Sequence, residues 1–259
     1  MPEGDTIHRT ARALSAALTG AELTHFELPR QQAGRGGWPR SGERVAGVEA
    51  RGKHLLIACP GGLTLHTHMR MGGSWHLYRP GERWRRSPGA VVAHLGTTGA
   101  EAVCFSAPVV EVLREVDLRH HSVLTALGPD LCVPGADLDE ALGRLDDLDP
   151  STPIGVALLD QTVAAGIGNV YRAEVAWACR VDPFRPVREV DTETRRHLYL
   201  TAARLLRANL DSPRRTTVPG GLAVYDRAGR ACPRCGGAVA TRRLGEQARS
   251  VWWCLGCQR

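Results

Sequence analysis

Four of the eight cysteines form two Cys-x-x-Cys pairs, Cys232 with Cys235 and Cys254 with Cys257, separated by 18 residues. Two thiolate pairs at this spacing suit a tetrahedral zinc site. Four protein ligands fill such a site and leave no open position. The expected Zn2+, one per chain, therefore folds a small module and performs no chemistry. Cys59, Cys104, Cys132 and Cys179 stand singly in apolar surroundings and read as reduced core thiols. Of 33 basic residues only Lys53 is a lysine, leaving 32 arginines. A coding bias toward arginine accounts for the depletion, and a need for a compact ammonium that a guanidinium cannot imitate accounts for the exception. His66 and His68 alternate along a strand and raise the question of a metal pair, but no carboxylate or third histidine supports one.

These residues need elements to position them. Ile7, Ala11, Leu14 and Leu18 recur at helical spacing, with Asp5 expected as the cap and Gly20 as the stop. Pro2 and Glu3 precede this helix, and its apolar face would hold them still. From Ala21 to Val123 the pattern changes to short strands, among them Leu23 to Leu28, His54 to Ala58, Leu63 to Met69, Val91 to Leu95 and Ala102 to Phe105. Their spacing suggests a β-sandwich. Helices are expected at Asp137 to Leu145, Pro153 to Gln161, Gly168 to Ala178 and Thr192 to Asn209. Ser212 to Gly221 reads as a linker. Ala238 to Arg243 and Arg249 to Trp253 read as a hairpin carrying the cysteines, with Arg242, Arg243 and Arg249 available to phosphates or to solvent. The loop from Arg79 to Gly89, with Arg83, Trp84, Arg85 and Arg86, suits nucleic-acid contact and plain surface equally.

The chain has 259 residues, a net charge of +6 and a pI near 9.1. That length buries a sizeable core, and the basic balance puts nucleic acid first among partners. Apolar runs such as Pro153 to Leu159 are too short to cross a membrane. No secretory signal opens the sequence, so a bacterial cytoplasmic location and a monomeric state are the expectation.

Several blocks, in order, resemble the formamidopyrimidine-DNA glycosylase / endonuclease VIII family. They are Pro2-Glu3-Gly4, Arg51-Gly52-Lys53, Leu127-Gly128-Pro129-Asp130, Leu158-Leu159-Asp160-Gln161, Gly166-Ile167-Gly168-Asn169-Val170-Tyr171-Arg172-Ala173-Glu174, and the cysteine module ending Cys257-Gln258. The glycines of Gly166 to Gly168 do not make a dinucleotide loop, because Tyr171 stands where a third glycine belongs and no strand leads in. The resemblance implies an α+β fold: an N-terminal helix plus β-sandwich (1–125), a helical helix-two-turns-helix domain (126–221) and a C-terminal zinc ribbon (222–259). Double-stranded DNA containing oxidised bases or abasic sites would lie in the cleft between them.

It also implies a bifunctional DNA glycosylase and abasic-site lyase of base excision repair. With Met1 removed, Pro2 presents a secondary amine that attacks the sugar C1′, and the resulting iminium drives β,δ-elimination. Glu3 is the expected general acid/base and Lys53 the cation near the damaged nucleotide. The rival assignment makes Lys53 the nucleophile, and the resemblance argues against it. His68, Asn169 and Arg249 are expected to meet phosphates. Met71 is the candidate wedge for the gap left by a flipped base, with Arg119 and His121 nearby. Gly4-Asp5-Thr6 after Glu3, Gly155 or Val156 where the purine-directed branch carries a lysine, and the short stretch from Arg214 to Tyr225 place the chain nearer the endonuclease VIII branch. Oxidised pyrimidines are expected over 8-oxoguanine. Oxidised-purine excision and non-catalytic binding of damaged DNA are the alternatives.

Overall fold

The computed structural model describes residues 2–30 and 37–259, so Met1 lies outside the described residues. The chain divides into two compact units: Pro2 with Thr6–Thr125, and Glu3–Asp5 with Ala126–Arg259. Helix α1 (Gly4–Leu18) opens the chain. It starts at Gly4, so Asp5 lies inside the first turn and is not the cap expected from the sequence. Its buried carboxylate is instead paired with Arg215, Nε to Oδ2 at 2.8 Å.

The first unit is a sandwich of two four-stranded antiparallel sheets. One sheet runs β1 (Leu23–Glu27), β6 (Val91–Thr97), β7 (Glu101–Phe105), β5 (Ser74–Tyr78). The other runs β2 (Gly47–Arg51), β3 (His54–Cys59), β4 (Leu63–His68), β8 (Val109–Arg114). One core joins Leu55, Ile57 and Leu65 from the second sheet to Leu95, Ala102 and Cys104 from the first. Ile7, Ala11, Leu14 and Leu18 of α1 complete it, so the helical periodicity read from the sequence is the buried face. The short helices α2 (Glu115–Arg119) and α3 (Ser122–Ala126) follow β8.

The second unit holds α4 (Leu138–Asp146), α5 (Ile154–Ala157), α6 (Asn169–Ala178) and α7 (Thr192–Ala208). Asp137 caps α4 and Asp191 caps α7, each accepting backbone N–H groups. The helix expected over Pro153 to Gln161 is a single turn. The Asp160 side chain accepts from the Thr162 N–H and hydroxyl, and the Gln161 amide donates to the carbonyls of Leu159 and Ile167. These bonds divert the backbone from a helical ladder. The hairpin β9 (Val239–Leu244) and β10 (Arg249–Cys254) pairs antiparallel, and Val239, Cys232 and Cys254 share a small core with Ala173 and Trp177 of α6.

The expected linker over Ser212 to Gly221 is tied down. Thr217 donates to the fully buried Glu174 of α6, whose carboxylate also accepts the N–H groups of Ala223, Val224 and Tyr225 at 2.7, 2.9 and 2.8 Å. Removing this acceptor strands buried donors at about 1–3 kcal/mol each. Glu174→Ala is therefore expected to lower stability by at least about 3 kcal/mol in chemical denaturation. A loss below about 1 kcal/mol would show that the loop does not depend on this carboxylate.

Candidate active site

Glu3 is completely buried, and its carboxylate sits at the start of α6. Oε2 accepts from the N–H of Gly168 at 2.9 Å and of Tyr171 at 3.3 Å; Oε1 accepts from Val170 at 2.8 Å. A carboxylate is favoured there because the first N–H groups of a helix have no internal partner and carry the positive end of its dipole. Gly168 permits the approach: a Cβ at that position would fall 2.3 Å from Glu3 Cδ. The Gly4 N–H donates to Gly166 O at 2.9 Å, fixing the chain just beyond. Pro2, half-buried, is the residue before this anchor. The anion expected at these N–H groups was a DNA phosphate bound with Asn169. The protein's own carboxylate takes those donors instead.

Asn169 is buried with both ends of its side-chain amide engaged. Nδ2 donates to Ser250 O at 3.0 Å and Oδ1 accepts from Arg172. Arg172, missed as a site residue in the sequence, is fully buried; it donates to Ser250 O at 2.8 Å, while its Nε and NH1 have no hydrogen-bond partner among the described residues. Burial and then the charge of Arg249 lower its pKa to about 10. Orphaned buried donors beside a second cation make a site that an anion would complete. Arg249 opens β10 and is exposed, whereas Arg242 is laid over the Phe184 ring at 3.8 Å.

In the first unit, Lys53 lies on the tight β2–β3 turn, where Gly52 has φ +58°. The sheet register sets His54 opposite His68. Burial first, and then neighbouring charges that include Lys53, lower the pKa of His54 to about 3 and of His68 to about 4. Lys53 and His68 thus lie at one end of the sheet, with both histidines neutral at pH 7. His68 Nδ1 accepts the Arg70 N–H at 3.2 Å, which leaves the proton on Nε2, a donor suited to a phosphate or sugar oxygen.

The expectation that His66 lacks a carboxylate and a third histidine is corrected. The β4–β8 register brings Glu111 opposite His66, and His121 joins them. His66 Nδ1 and His121 Nε2 lie 2.8 and 3.1 Å from Glu111 Oε1, and His54 Nδ1 lies 2.8 Å from His66 Nε2. His121 Nδ1 accepts the Leu124 N–H at 3.2 Å, so its Nε2 carries the proton. Both rings therefore donate to Glu111, and His66 Nε2 accepts from His54. The lone pairs a metal would need are not aimed at Glu111, and the cluster is a hydrogen-bonded chain.

Met71 is 78% exposed, which excludes a core role; Met69 is the buried methionine of this pair. Arg119, on α2, is paired with Glu115. The four module cysteines converge, with Sγ separations of 3.8 Å (Cys232–Cys257) and 3.4 Å (Cys235–Cys254). Tetrahedral thiolates about 2.3 Å from zinc lie about 3.8 Å apart, so the donor set fits. Trp177 Nε1 adds a hydrogen bond to Cys232 Sγ at 3.2 Å.

Residues 1–88 match the formamidopyrimidine-DNA glycosylase N-terminal domain, and residues 127–218 match the formamidopyrimidine-DNA glycosylase H2TH domain. The chain is 42% identical to a probable endonuclease 8 2 of Streptomyces coelicolor, over all of this chain and 94% of the relative. The chain belongs to the formamidopyrimidine-DNA glycosylase / endonuclease 8 family. Members of this glycosylase and lyase family at 36% and 32% identity are a DNA-(apurinic or apyrimidinic site) lyase of Mycolicibacterium smegmatis and an endonuclease 8 of Klebsiella pneumoniae. They match across all of this chain and 99% and 100% of their own lengths. The family fold is matched by a Lactococcus lactis Fpg solved with abasic-site DNA, at TM-score 0.83 and 19% identity over the whole of both chains. No described helix is long and apolar enough to cross a membrane.

The depressed histidine pKa values carry a stability consequence. The unfolded chain protonates His54 and His68 near their ordinary value of 6.5, whereas the folded chain does so only near 3 and 4. Between those limits the unfolded state binds more protons, so stability falls as pH drops below about 6.5 and is unaffected by these groups above it. His54→Asn, which keeps a donor for His66 Nε2, is expected to lose less of its thermal midpoint than the wild type between pH 7 and pH 5. Equal losses would remove His54 from the acid response.

Proposed function

We propose that this member of the family is a bifunctional glycosylase and abasic-site lyase of base excision repair, acting on oxidised pyrimidines in double-stranded DNA. The observation that carries this reading is the Glu3 carboxylate locked on the Gly168, Val170 and Tyr171 N–H groups, which fixes the backbone next to the Pro2 amine. The Pro2 nitrogen bonds to the sugar C1′ as the C1′–N bond to the damaged base breaks, and the base leaves with that electron pair and a proton. The amine loses its proton and the C1′–O4′ bond opens, O4′ taking up a proton, which gives the cationic iminium; this draws electrons from C2′, whose proton is lost as the 3′ phosphate departs, and a second elimination releases the 5′ phosphate. Glu3 moves protons at the sugar. Lys53 supplies positive charge at the nucleotide and lowers the amine's pKa by repulsion. Neutral His68 donates Nε2–H, and Arg249, together with Asn169 and Arg172, holds a phosphate. Met71 fills the stack left by the flipped nucleotide, and Arg119 is assigned to the DNA as well.

We assign residues 1–125, 126–221 and 222–259 to a catalytic sandwich, a helix-two-turns-helix domain and a zinc ribbon. The protein works as a monomer in the bacterial cytoplasm. Preference for oxidised pyrimidines over 8-oxoguanine is supported by Gly4-Asp5-Thr6 after Glu3. It is supported also by the Thr217–Tyr225 segment, which is committed to Glu174 and so is not free to cover a purine.

Borohydride trapping on a thymine-glycol duplex, followed by peptide mapping, tests the nucleophile. The adduct is expected on the N-terminal peptide, retained in Lys53→Ala and lost in Pro2→Gly. An adduct mapped to Lys53 reverses the assignment, and the absence of any wild-type adduct favours a non-catalytic binder. Parallel excision from 8-oxoguanine duplexes decides the lesion class.

Cys232, Cys235, Cys254 and Cys257 would hold one structural Zn2+, which supplies folding of the ribbon and takes no part in the reaction. Metal analysis is expected to give one zinc per chain, and its removal is expected to abolish the near-ultraviolet dichroism of Trp252 and Trp253. A ribbon signal unchanged after stripping would mean the hairpin folds without metal.

A further inference from the structure

The loop from Arg79 to Gly89 is built as carefully as a binding element. Trp84 packs edge-on against His94 and Phe105, beside the small core of Tyr78, Val91, Val103 and Phe105. Its indole N–H donates to Glu101 Oε2 at 3.2 Å, and the Gly81 N–H donates to Glu101 Oε1 at 3.2 Å. The Arg85 N–H reaches the Tyr78 hydroxyl at 3.1 Å, and the Arg79 N–H reaches Glu82 Oε2 at 3.0 Å. The carboxylates of Glu82 and Glu101 are thus spent on backbone and indole donors. Meanwhile Arg83, Arg85 and Arg86 remain exposed.

Some other arginines are neutralised close by, among them Arg114 by Asp117, Arg144 by Glu140 and Arg196 by Asp139. Among the described residues Arg83, Arg85 and Arg86 have no ion pair. Their positive potential is felt locally, since burial and then the charges of Arg86 and Arg85 lower the pKa of His76. Arg86 has a second task. Its NH1 donates to Ser74 Oγ at 3.1 Å and to Gly72 O at 3.4 Å, on the turn that displays Met71. That turn is tight: Arg70 has φ +43°, and a Cβ on Gly73 would lie 2.7 Å from Met69 O.

We propose that this loop is a phosphate-gripping arm for duplex DNA, with Arg83 and Arg85 contacting the backbone and Arg86 bracing the Met71 turn. The inference rests on the reading of the chain as a duplex-DNA enzyme with Met71 as its wedge. The anchored loop presents guanidinium groups without first having to order itself, and the brace joins it to the turn that would enter the stack. A mere solvated face would not need the loop to withhold both neighbouring carboxylates from its arginines.

Each phosphate neutralised on duplex DNA adds about 0.9 to the slope of log affinity against log salt. Fluorescence anisotropy over a KCl series, using a duplex with a tetrahydrofuran abasic analogue and a full helical turn on either side, reads that slope directly. Arg83→Ala/Arg85→Ala is expected to reduce its magnitude by about 1 to 2, with the far-ultraviolet dichroism unchanged. Arg83→Lys/Arg85→Lys is expected to restore it. An unchanged slope in the folded alanine variant overturns the arm while leaving the enzyme reading intact. Failure of the wild type to bind this duplex overturns both.

Discussion

A carboxylate taken wholly out of water costs several kcal/mol unless its lone pairs are met. Glu3 meets them with the opening N–H groups of α6, and the arrangement depends on Gly168 having no side chain. One interaction thereby couples residue 3 to residues 165 to 168 positions further along the chain. It also decides what the helix terminus can do. A helix start offers few unpartnered donors, and here an internal anion has taken them, so an external phosphate must be met by side chains.

The same helix carries further buried polar side chains. Every residue from Asn169 to Trp177 is buried, which is unusual for an element carrying an Asn, an Arg and a Glu. Its polar side chains reach several segments: Asn169 and Arg172 bond Ser250 on the hairpin, Glu174 the segment before it, and Trp177 the Cys232 sulfur at the thiolate cluster. The helix therefore organises the second unit through hydrogen bonds as much as through its apolar face. Arg172 keeps Nε and NH1 without a hydrogen-bond partner among the described residues, and surplus donors on a buried cation suit an anion.

How much of this could be read from the residues follows from the range of each interaction. The α1 face, the sandwich strands and the cysteine hairpin rest on local periodicity or on fixed spacing, and were legible. The single turn at Ile154–Ala157 was not, because Asp160 and Gln161 override an apolar pattern that suits a helix. The Glu111–His66–His121 chain was invisible for another reason. It depends on which strand pairs with β4, and sequence alternation says which face a side chain occupies but not what lies opposite. Arg172 and Glu174 stood inside a recognised block, yet only burial shows that one is under-partnered and the other fully committed.

The lone lysine differs from the arginines in its surroundings. A guanidinium is best used where a planar fork meets a carboxylate, as in Arg215 with Asp5 and Arg114 with Asp117. Lys53 instead sits on a tight turn whose close companions are histidines held neutral, partly by its own charge. The dependence runs both ways. Were His54 or His68 protonated, repulsion would raise the free energy of every cation at that end of the sheet. Because burial keeps both rings neutral, the charges of Lys53 and Arg70 there are flanked by neutral imidazoles, His68 offering a donor. An arginine there would spread the charge over a wider plane than the compact ammonium.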